Sequence, residues 1–339
     1  MSHNPTKSLR ATLSQMEDRV VNRTRDVEIS GIAWDSRKVQ PGDAFFALVG
    51  NNYDGHQFIR TAVKQGAAAV IGTLSPAPLE VPYVQVLGDD RLALAKFSAA
   101  FYDHPSRDMV VIGVTGTDGK TTTTNMIYHI LRTAGFRVGM ISTINAVVGD
   151  ETLDTGFHVT TPEAPDIQQY LARMRDDGLT HVVLETTSHG LAQRRVAEVD
   201  YDLAAVTNVT HEHLDYHRTY QGYLQAKGLL FEALSRERAS SKDIEKLAVL
   251  NRDDESYPYL RQVTRAKVLS YSLSEDGDIW ADAIEHSPSA LRFTVHGLGA
   301  PFRIESPMIG IYNVPNSLAA IGVTPVSYTH LTLPTKRIV

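Results

Sequence analysis

Ten consecutive residues, Gly113-Val114-Thr115-Gly116-Thr117-Asp118-Gly119-Lys120-Thr121-Thr122, carry the residue types that cradle a nucleoside triphosphate. Small residues let backbone N–H groups curl around phosphate oxygens, and a helix N-terminus adds partial positive charge. Lys120 supplies a point charge, and Thr121 can ligate Mg²⁺. The general phosphate-loop pattern asks for glycine six residues before the lysine, where this chain has Val114, so the loop is a variant. A plain tight turn is the competing reading. The Gly-Lys-Thr-Thr ending at the start of a helix favours triphosphate binding.

Further along stand an acid, a histidine-rich loop and a lysine. Glu185, at the C-terminal end of a buried-type strand, is where ligands of open α/β sheets bind, and its carboxylate can complete a Mg²⁺ shell begun by Thr121. By itself it reads equally as a helix cap or a solvated acid. His211-Glu212-His213-Leu214-Asp215-Tyr216-His217 packs three histidines and two acids into seven residues. The spacing is not a helical i, i+4 pair and no thiolate assists, which argues against zinc and leaves an exposed polar loop as the alternative. Lys227, ten residues past His217, reads as a helix-surface charge.

These side chains need a scaffold, and the hydrophobic pattern supplies one. Up to about residue 102, short apolar runs (Ile29 to Trp34, Ala44 to Val49, Ala67 to Ile71, Tyr83 to Val86) alternate with helical spacing at Phe58 to Gln65 and Arg91 to Tyr102. After a linker at His104 to Arg107 the alternation strengthens. Strands are expected at Met109 to Val114, Arg137 to Ile141, His181 to Leu184, Leu203 to Thr207 and Lys246 to Leu250, and helices at Thr121 to Ala134, Pro162 to Asp177 and Tyr220 to Leu234. The fold class is therefore α/β: a small N-terminal α/β domain, 1–105, then a phosphate-loop domain with a doubly wound, mostly parallel sheet, 106–323. Period-2 runs from Ile279 to Glu305 suggest an antiparallel appendage. Thr160-Thr161-Pro162 reads as an N-cap with proline at the first helical position.

Composition bounds the class. The 339 residues include 33 Lys+Arg against 39 Asp+Glu, a net charge of −6, which argues against a basic nucleic-acid surface. Cysteine is absent, excluding disulfides, thiolate metal sites and a cysteine nucleophile, and suiting a reducing cytosol. The first twenty residues lack the apolar stretch of a signal peptide, and no run reaches membrane-spanning length. A cytoplasmic protein is expected.

Taken together, Thr-Gly-Thr-x-Gly-Lys-Thr-Thr, the Asn208-x-x-x-x-His213-Leu214-Asp215-Tyr216-His217 string, Lys227 and Asn313-Val314-Pro315-Asn316-Ser317-Leu318-Ala319-Ala320 resemble the motifs of the Mur ligase family, the ATP-dependent amide-forming enzymes of peptidoglycan assembly. The family usually has Asn where this chain has Asp118. Folylpolyglutamate synthases are relatives and the runner-up, and a non-catalytic nucleotide-binding protein is the alternative from another class. The resemblance implies that Gly116, Thr117, Asp118, Gly119, Lys120, Thr121, Thr122, Asn313 and Asn316 bind ATP. It gives catalysis to Lys120, Glu185, His213 and Lys227. Two Mg²⁺ ions would be held by Thr121, Glu185, His213 and Lys227, the last carbamylated by CO₂, and Asp215 would support the loop.

Asp35-Ser36-Arg37 with Asp54-Gly55-His56, and Ser188-His189-Gly190-Leu191-Ala192-Gln193-Arg194-Arg195-Val196, are similar to motifs of the branch that adds the third peptide residue. Without the family, Ser36 and Arg37 would pass as a surface hairpin. With it, Ser36, Arg37, Thr160, Thr161, Thr187 and Arg195 are expected to bind UDP-N-acetylmuramoyl-L-alanyl-D-glutamate, with Arg195 on a substrate carboxylate. An amino acid is the second substrate, a monomer is expected, and no nucleic acid or membrane partner is. The helix begun at Asn313 is expected to stop after Val323, because Pro325 and Pro334 oppose it. Residues 324–339 then read as a non-native tail, and the family's C-terminal Rossmann-like ligase domain as absent. Binding without turnover is the expectation for the chain alone.

Overall fold

A computed structural model describes residues 5–16, 20–21, 25–50, 53–74, 78–149, 151–153, 161–236, 242 and 244–327. The described chain forms two compact units: 1–105 with 163–173 and 193–199, and 106–162 with 174–192 and 200–339.

The first unit contains β1 (Lys7–Ser8), α1 (Leu9–Ser14), β2 (Val20–Val21), β3 (Glu28–Ile29), β4 (Gly31–Ala33), β5 (Asp43–Ala47), α2 (Ile59–Lys64), β6 (Ala69–Gly72), β7 (Tyr83–Val86) and α3 (Asp90–Phe101). Its sheet runs β2-β7-β6-β5-β4, parallel except at β2. The run expected as one strand from Ile29 to Trp34 is broken at Ser30, whose N–H donates to the Gly42 carbonyl at 2.9 Å. α3 is capped by Asp89, whose carboxylate accepts from the N–H groups of Arg91 (3.1 Å) and Leu92 (3.0 Å), two of the orphan donors of a helix start.

The second unit has β8 (Val110–Thr115), α4 (Lys120–Thr133), β9 (Val138–Ile141), β10 (Ala146–Val148), β11 (Glu151–Leu153), the end of α5 (Ala164–Asp176), β12 (His181–Glu185), α6 (Ser188–Ala192), β13 (Leu203–Val206), α7 (Leu214–His217), α8 (Tyr220–Ala233), β14 (Leu247–Asn251), α9 (Tyr257–Val263), β15 (Lys267–Ser272), β16 (Ile279–His286), β17 (Leu291–His296), β18 (Phe302–Ser306) and α10 (Asn313–Ser327). Among the described residues one eleven-stranded sheet runs β11-β10-β9-β12-β8-β13-β14-β15-β16-β17-β18, parallel from β9 to β16 and antiparallel at both edges. The strands expected as an appendage therefore continue the main sheet. β12, β13 and β14 are buried along their whole length, as both-face-covered parallel strands must be. Ile127 and Leu131 of α4 and Val314 and Leu318 of α10 join Ile112, Val114 and Val249 in one core, while Leu230 of α8 closes on Gly113 from the opposite face.

Two expectations are corrected here. α5 starts at Ala164, not Pro162, because a helix begun at Pro162 would need for its first hydrogen bond the N–H that Pro165 lacks; the Thr161 hydroxyl meets that of Thr187 at 2.8 Å. Pro165 then sits in the first turn, where an N–H has no intrahelical acceptor. α10 runs on through Pro325 to Ser327 instead of stopping at Val323. Pro325 leaves the Ile321 carbonyl without its helical N–H, and the Thr324 hydroxyl donates to that carbonyl at 2.9 Å. The remainder of the expected tail, and Thr160, lie outside the described residues.

Thr324 is buried, so Thr324→Val should remove about 1 kcal/mol of stability. A lower urea midpoint for the second unit would show this, and an unchanged midpoint would mean that the hydroxyl does not support the proline turn.

Candidate functional site

From β8 the chain crosses to β9 on one side, and from β12 it crosses back past β8 to β13 on the other, so the carboxyl end of β8 lies at the switch point of the sheet. The loop leaving β8 is shaped by the end of β13. Thr117 N–H donates to the Asn208 carbonyl (2.7 Å), Asp118 N–H to Asn208 Oδ1 (2.9 Å), and Thr207 Oγ1 to the Asp118 carbonyl (2.5 Å). The approach is close enough that a Cβ on Gly116 would lie 1.8 Å from Thr207 Oγ1. Gly119, the N-cap of α4, has φ +78°, and a Cβ there would lie 2.3 Å from Asn316 Oδ1. Both glycines are required for space and for backbone conformation, Gly116 having φ +150°.

No side chain caps α4, in contrast to the aspartate at α3, so no side chain occupies its first-turn N–H groups, and the positive end of the helix dipole lies at the loop. Lys120 Nζ donates to the Thr117 carbonyl at 2.7 Å, folding the lysine over the loop. Asn313 and Asn316, both buried, meet side chain to side chain at 3.1 Å.

Glu185 ends β12 opposite Val114 of β8, and it is 1% exposed. The Thr121 hydroxyl lies 3.1 and 3.0 Å from its two oxygens, and Thr143 donates from its hydroxyl (2.8 Å) and its N–H (3.2 Å). Mg²⁺ ligands about 2.1 Å from the ion and at right angles are about 3 Å apart, so the Thr121 and Glu185 oxygens fit one edge of its octahedron. Among the described residues no group of three or more His, Asp or Glu side chains is disposed to hold a metal alone. Water and phosphate oxygens would complete the shell.

Lys227 is not on a surface. It is 1% exposed on α8, its Nζ 2.5 Å from the Gly116 carbonyl and 4.4 Å from the centre of the Tyr223 ring. Burial pushes its amine well below the ordinary lysine value; Lys120 adds to this, against the pull of Glu212, Asp118 and Asp254. Tyr223, one helical turn earlier, was not singled out by any motif. Its hydroxyl meets Thr117 Oγ1 at 3.2 Å, and burial pushes that hydroxyl up to about 12. The i, i+4 spacing to Lys227 is the signal that could have found it.

The histidines form a ring cluster beside Tyr223. His213, in left-handed backbone (φ +54°), lies 4.9 Å from the His189 ring and 6.0 Å from that of Tyr223. The His217 ring is 5.3 Å from both His189 and Tyr223, and its Nε2 is 3.0 Å from Ser188 Oγ. Burial, with His189, His213 and Lys227 nearby, pushes His217 down to about 4, so it is neutral at pH 7. Thr161 and Thr187 meet hydroxyl to hydroxyl at 2.8 Å, and the Thr187 Oγ1 accepts from Gly190 N–H at 3.0 Å.

The other expected substrate residues belong to the first unit. Arg37 is highly exposed and paired with Asp35 at 2.6 Å, while Ser36 beside it is buried. Arg195 is largely buried, held by Glu163 (3.1 Å) and by Gln193 Oε1 (2.6 Å). Burial pushes nearby Asp166 up to about 7, with the charge of Glu163 adding to the shift and Lys38 and Arg195 opposing it.

A depressed lysine is protonated only in the unfolded chain between its folded value and 10.5, so it makes stability rise with pH over that window. In CO₂-free buffer between pH 7 and 10, the wild type should therefore gain stability relative to Lys227→Met. Parallel curves for the two proteins would contradict a neutral Lys227.

The sequence profile of the Mur ligase middle domain matches residues 114–324, and that of the Mur ligase family catalytic domain matches 28–102. The chain is 40% identical over 315 residues to the UDP-N-acetylmuramoyl-L-alanyl-D-glutamate--2,6-diaminopimelate ligase of Geobacillus thermodenitrificans, covering 92% of this chain and 63% of that protein. With the enzyme of the same name from Cytophaga hutchinsonii it shares 36% over 302 residues, 88% of this chain and 59% of that one. The chain thus spans somewhat under two thirds of the length of these relatives. Among solved structures, a UDP-N-acetylmuramoyl-L-alanyl-D-glutamate--2,6-diaminopimelate ligase superposes with a TM-score of 0.76 at 27% identity, covering 88% of this chain and 60% of that one. MurF from Acinetobacter baumannii (TM-score 0.69, 22% identity, 95% and 65% coverage) shares the fold. With its middle-domain match covering most of the chain, the protein belongs to the Mur ligase family.

Proposed function

We propose that the chain carries the nucleotide-binding and UDP-substrate-binding machinery of a cytoplasmic, monomeric ligase that adds a diamino acid to UDP-N-acetylmuramoyl-L-alanyl-D-glutamate at the expense of ATP. The observation that carries this reading beyond simple phosphate binding is Lys227, a buried amine hydrogen-bonded to the phosphate loop itself. A P-loop that only binds nucleotide has no use for it.

The chemistry starts from a poor acyl donor. The terminal carboxylate of the substrate attacks the γ-phosphorus of ATP, the bond to ADP breaks, and an acyl phosphate results. The amine of the incoming amino acid then attacks the acyl carbon, the C–O bond to phosphate breaks, and the amine loses a proton to give the amide. The name of the relatives gives 2,6-diaminopimelate as that amine for them. Here the residues mainly position and neutralise charge.

Lys120 and the α4 N-terminus would hold the β- and γ-phosphates, and Asn313 and Asn316 the adenine. Thr121 and Glu185 would hold one Mg²⁺; His213 and a carbamylated Lys227 would hold the other. Mg²⁺ neutralises the transferring phosphoryl group when bound. A neutral Lys227 amine can attack CO₂, lose a proton and become a carboxylate-like ligand, which a protonated lysine cannot. Asp118 places an additional negative charge beside the phosphates. In the other unit, Ser36, Arg37 and Arg195 would take the UDP and carboxylate groups of the substrate. Thr160, Thr161 and Thr187 would take the acidic residue.

Calorimetric titration of the chain tests both halves. Lys120→Ala should weaken ATP binding by about tenfold or more and leave UDP-N-acetylmuramoyl dipeptide binding unchanged, and Arg195→Ala should do the reverse. Failure of the wild type to bind the dipeptide would overturn the third-residue reading.

A further inference from the structure

Glu185 is held from a side to which no sequence motif points. β9 and β12 are parallel neighbours with Ile141 opposite Leu184, so the residue after Leu184 lies beside the chain leaving β9. That chain turns back at once into β10. The Ser142 N–H donates to the Asn145 carbonyl at 2.9 Å, and Ser142 Oγ accepts from the N–H groups of Ile144 (3.2 Å) and Asn145 (3.3 Å), the self-bonding that makes serine a turn residue. The turn is thereby fixed by its own first residue, and it presents Thr143 to the carboxylate.

Two hydroxyls reach Glu185, and they act differently. The Thr121 Oγ1 lies almost equally far from both carboxylate oxygens, 3.1 and 3.0 Å, and so does not distinguish them. Thr143 does: its hydroxyl donates to Oε1 at 2.8 Å, while only its N–H, at 3.2 Å, reaches Oε2. A carboxylate offers about four lone-pair sites, and a strong donor on one oxygen sets which oxygen remains for a cation. Mg²⁺ demands near-ideal octahedral geometry and takes few carboxylate oxygens, so the orientation of that single acid matters more than it would for Ca²⁺.

We propose that Thr143 is a positioning residue for the metal-binding carboxylate: its hydroxyl occupies Oε1 and turns Oε2 of Glu185 toward the Mg²⁺ that Thr121 also meets. The proposal rests on the reading of this loop as a Mg²⁺–nucleotide site. It extends that site to the β9–β10 turn, a segment outside every motif of the phosphate loop. Partners that orient a metal ligand without touching the metal are worth about 10- to 100-fold in metal affinity.

The test is ADP binding to the chain, followed by calorimetry across a Mg²⁺ series and in EDTA. Thr143→Val keeps the shape and the N–H but loses the hydroxyl; Thr143→Ser keeps the hydroxyl. The valine variant should need about tenfold more Mg²⁺ for half-maximal enhancement of ADP binding, with its affinity in EDTA unchanged, and the serine variant should behave as wild type. If the valine variant does not fold, Thr143→Ala is read on the same scale. A Mg²⁺ midpoint for valine equal to that of wild type, a loss equal in EDTA and in Mg²⁺, or a serine variant as impaired as valine would overturn the proposal. A wild type whose ADP binding ignores Mg²⁺ would instead remove the metal–nucleotide reading, and this proposal with it.

Discussion

The amine of Lys227 lies beneath the phosphate loop, and the cost of keeping a charge there organises the second unit around it. Moving an ammonium out of water costs several kcal/mol even after relaxation, so burial this deep pushes the amine toward its neutral form. What it keeps is a donor. That donor goes to the Gly116 carbonyl, and the Tyr223 ring lies along its flank. Tyr223 in turn meets Thr117, whose backbone is held by Asn208 at the end of β13. The loop is thus fixed by a helix and by the chain leaving a strand, and the α4 N-terminus is left without a side-chain cap.

Charge is divided across this arrangement. Lys120 stays folded over the loop and partly exposed, whereas burial drives Lys227 toward its neutral form. Their separation in role follows from their exposure, since two lysine charges flanking one carbonyl-lined loop would repel each other. Glu185 is kept in place by two threonine hydroxyls and a backbone N–H, with no cationic partner in direct contact among the described residues. A carboxylate held by neutral donors has no positive neighbour to compete with an incoming cation.

Much of this was legible in the chain. The parallel sheet follows from strands apolar along their whole length, and the loop from glycines whose positions turn out to abut Thr207 and Asn316. Glu185 was legible as an acid at a strand end, but not the turn that grips it, because Thr143 lies between two short edge strands with no periodic signal. Lys227 reads as a surface charge by composition, since its burial depends on packing that joins residues more than a hundred positions apart. A proline rule ends the last helix before Pro325 because it counts the lost N–H and not a neighbouring threonine hydroxyl able to replace it. Arg195 and Glu163 form their pair through segments that leave the second half of the chain to pack with the first unit, an excursion that no local pattern encodes.

A neutral, CO₂-accessible amine at Lys227 is the claim on which the ligase reading stands most directly. Carbon-13 NMR of the chain in ¹³C-bicarbonate, compared with Lys227→Gln, addresses it in one spectrum. A carbamate carbon resonance that appears in the wild type near neutral pH and is missing from the variant is the expected result. The same spectrum from both proteins, or none from either, would contradict it.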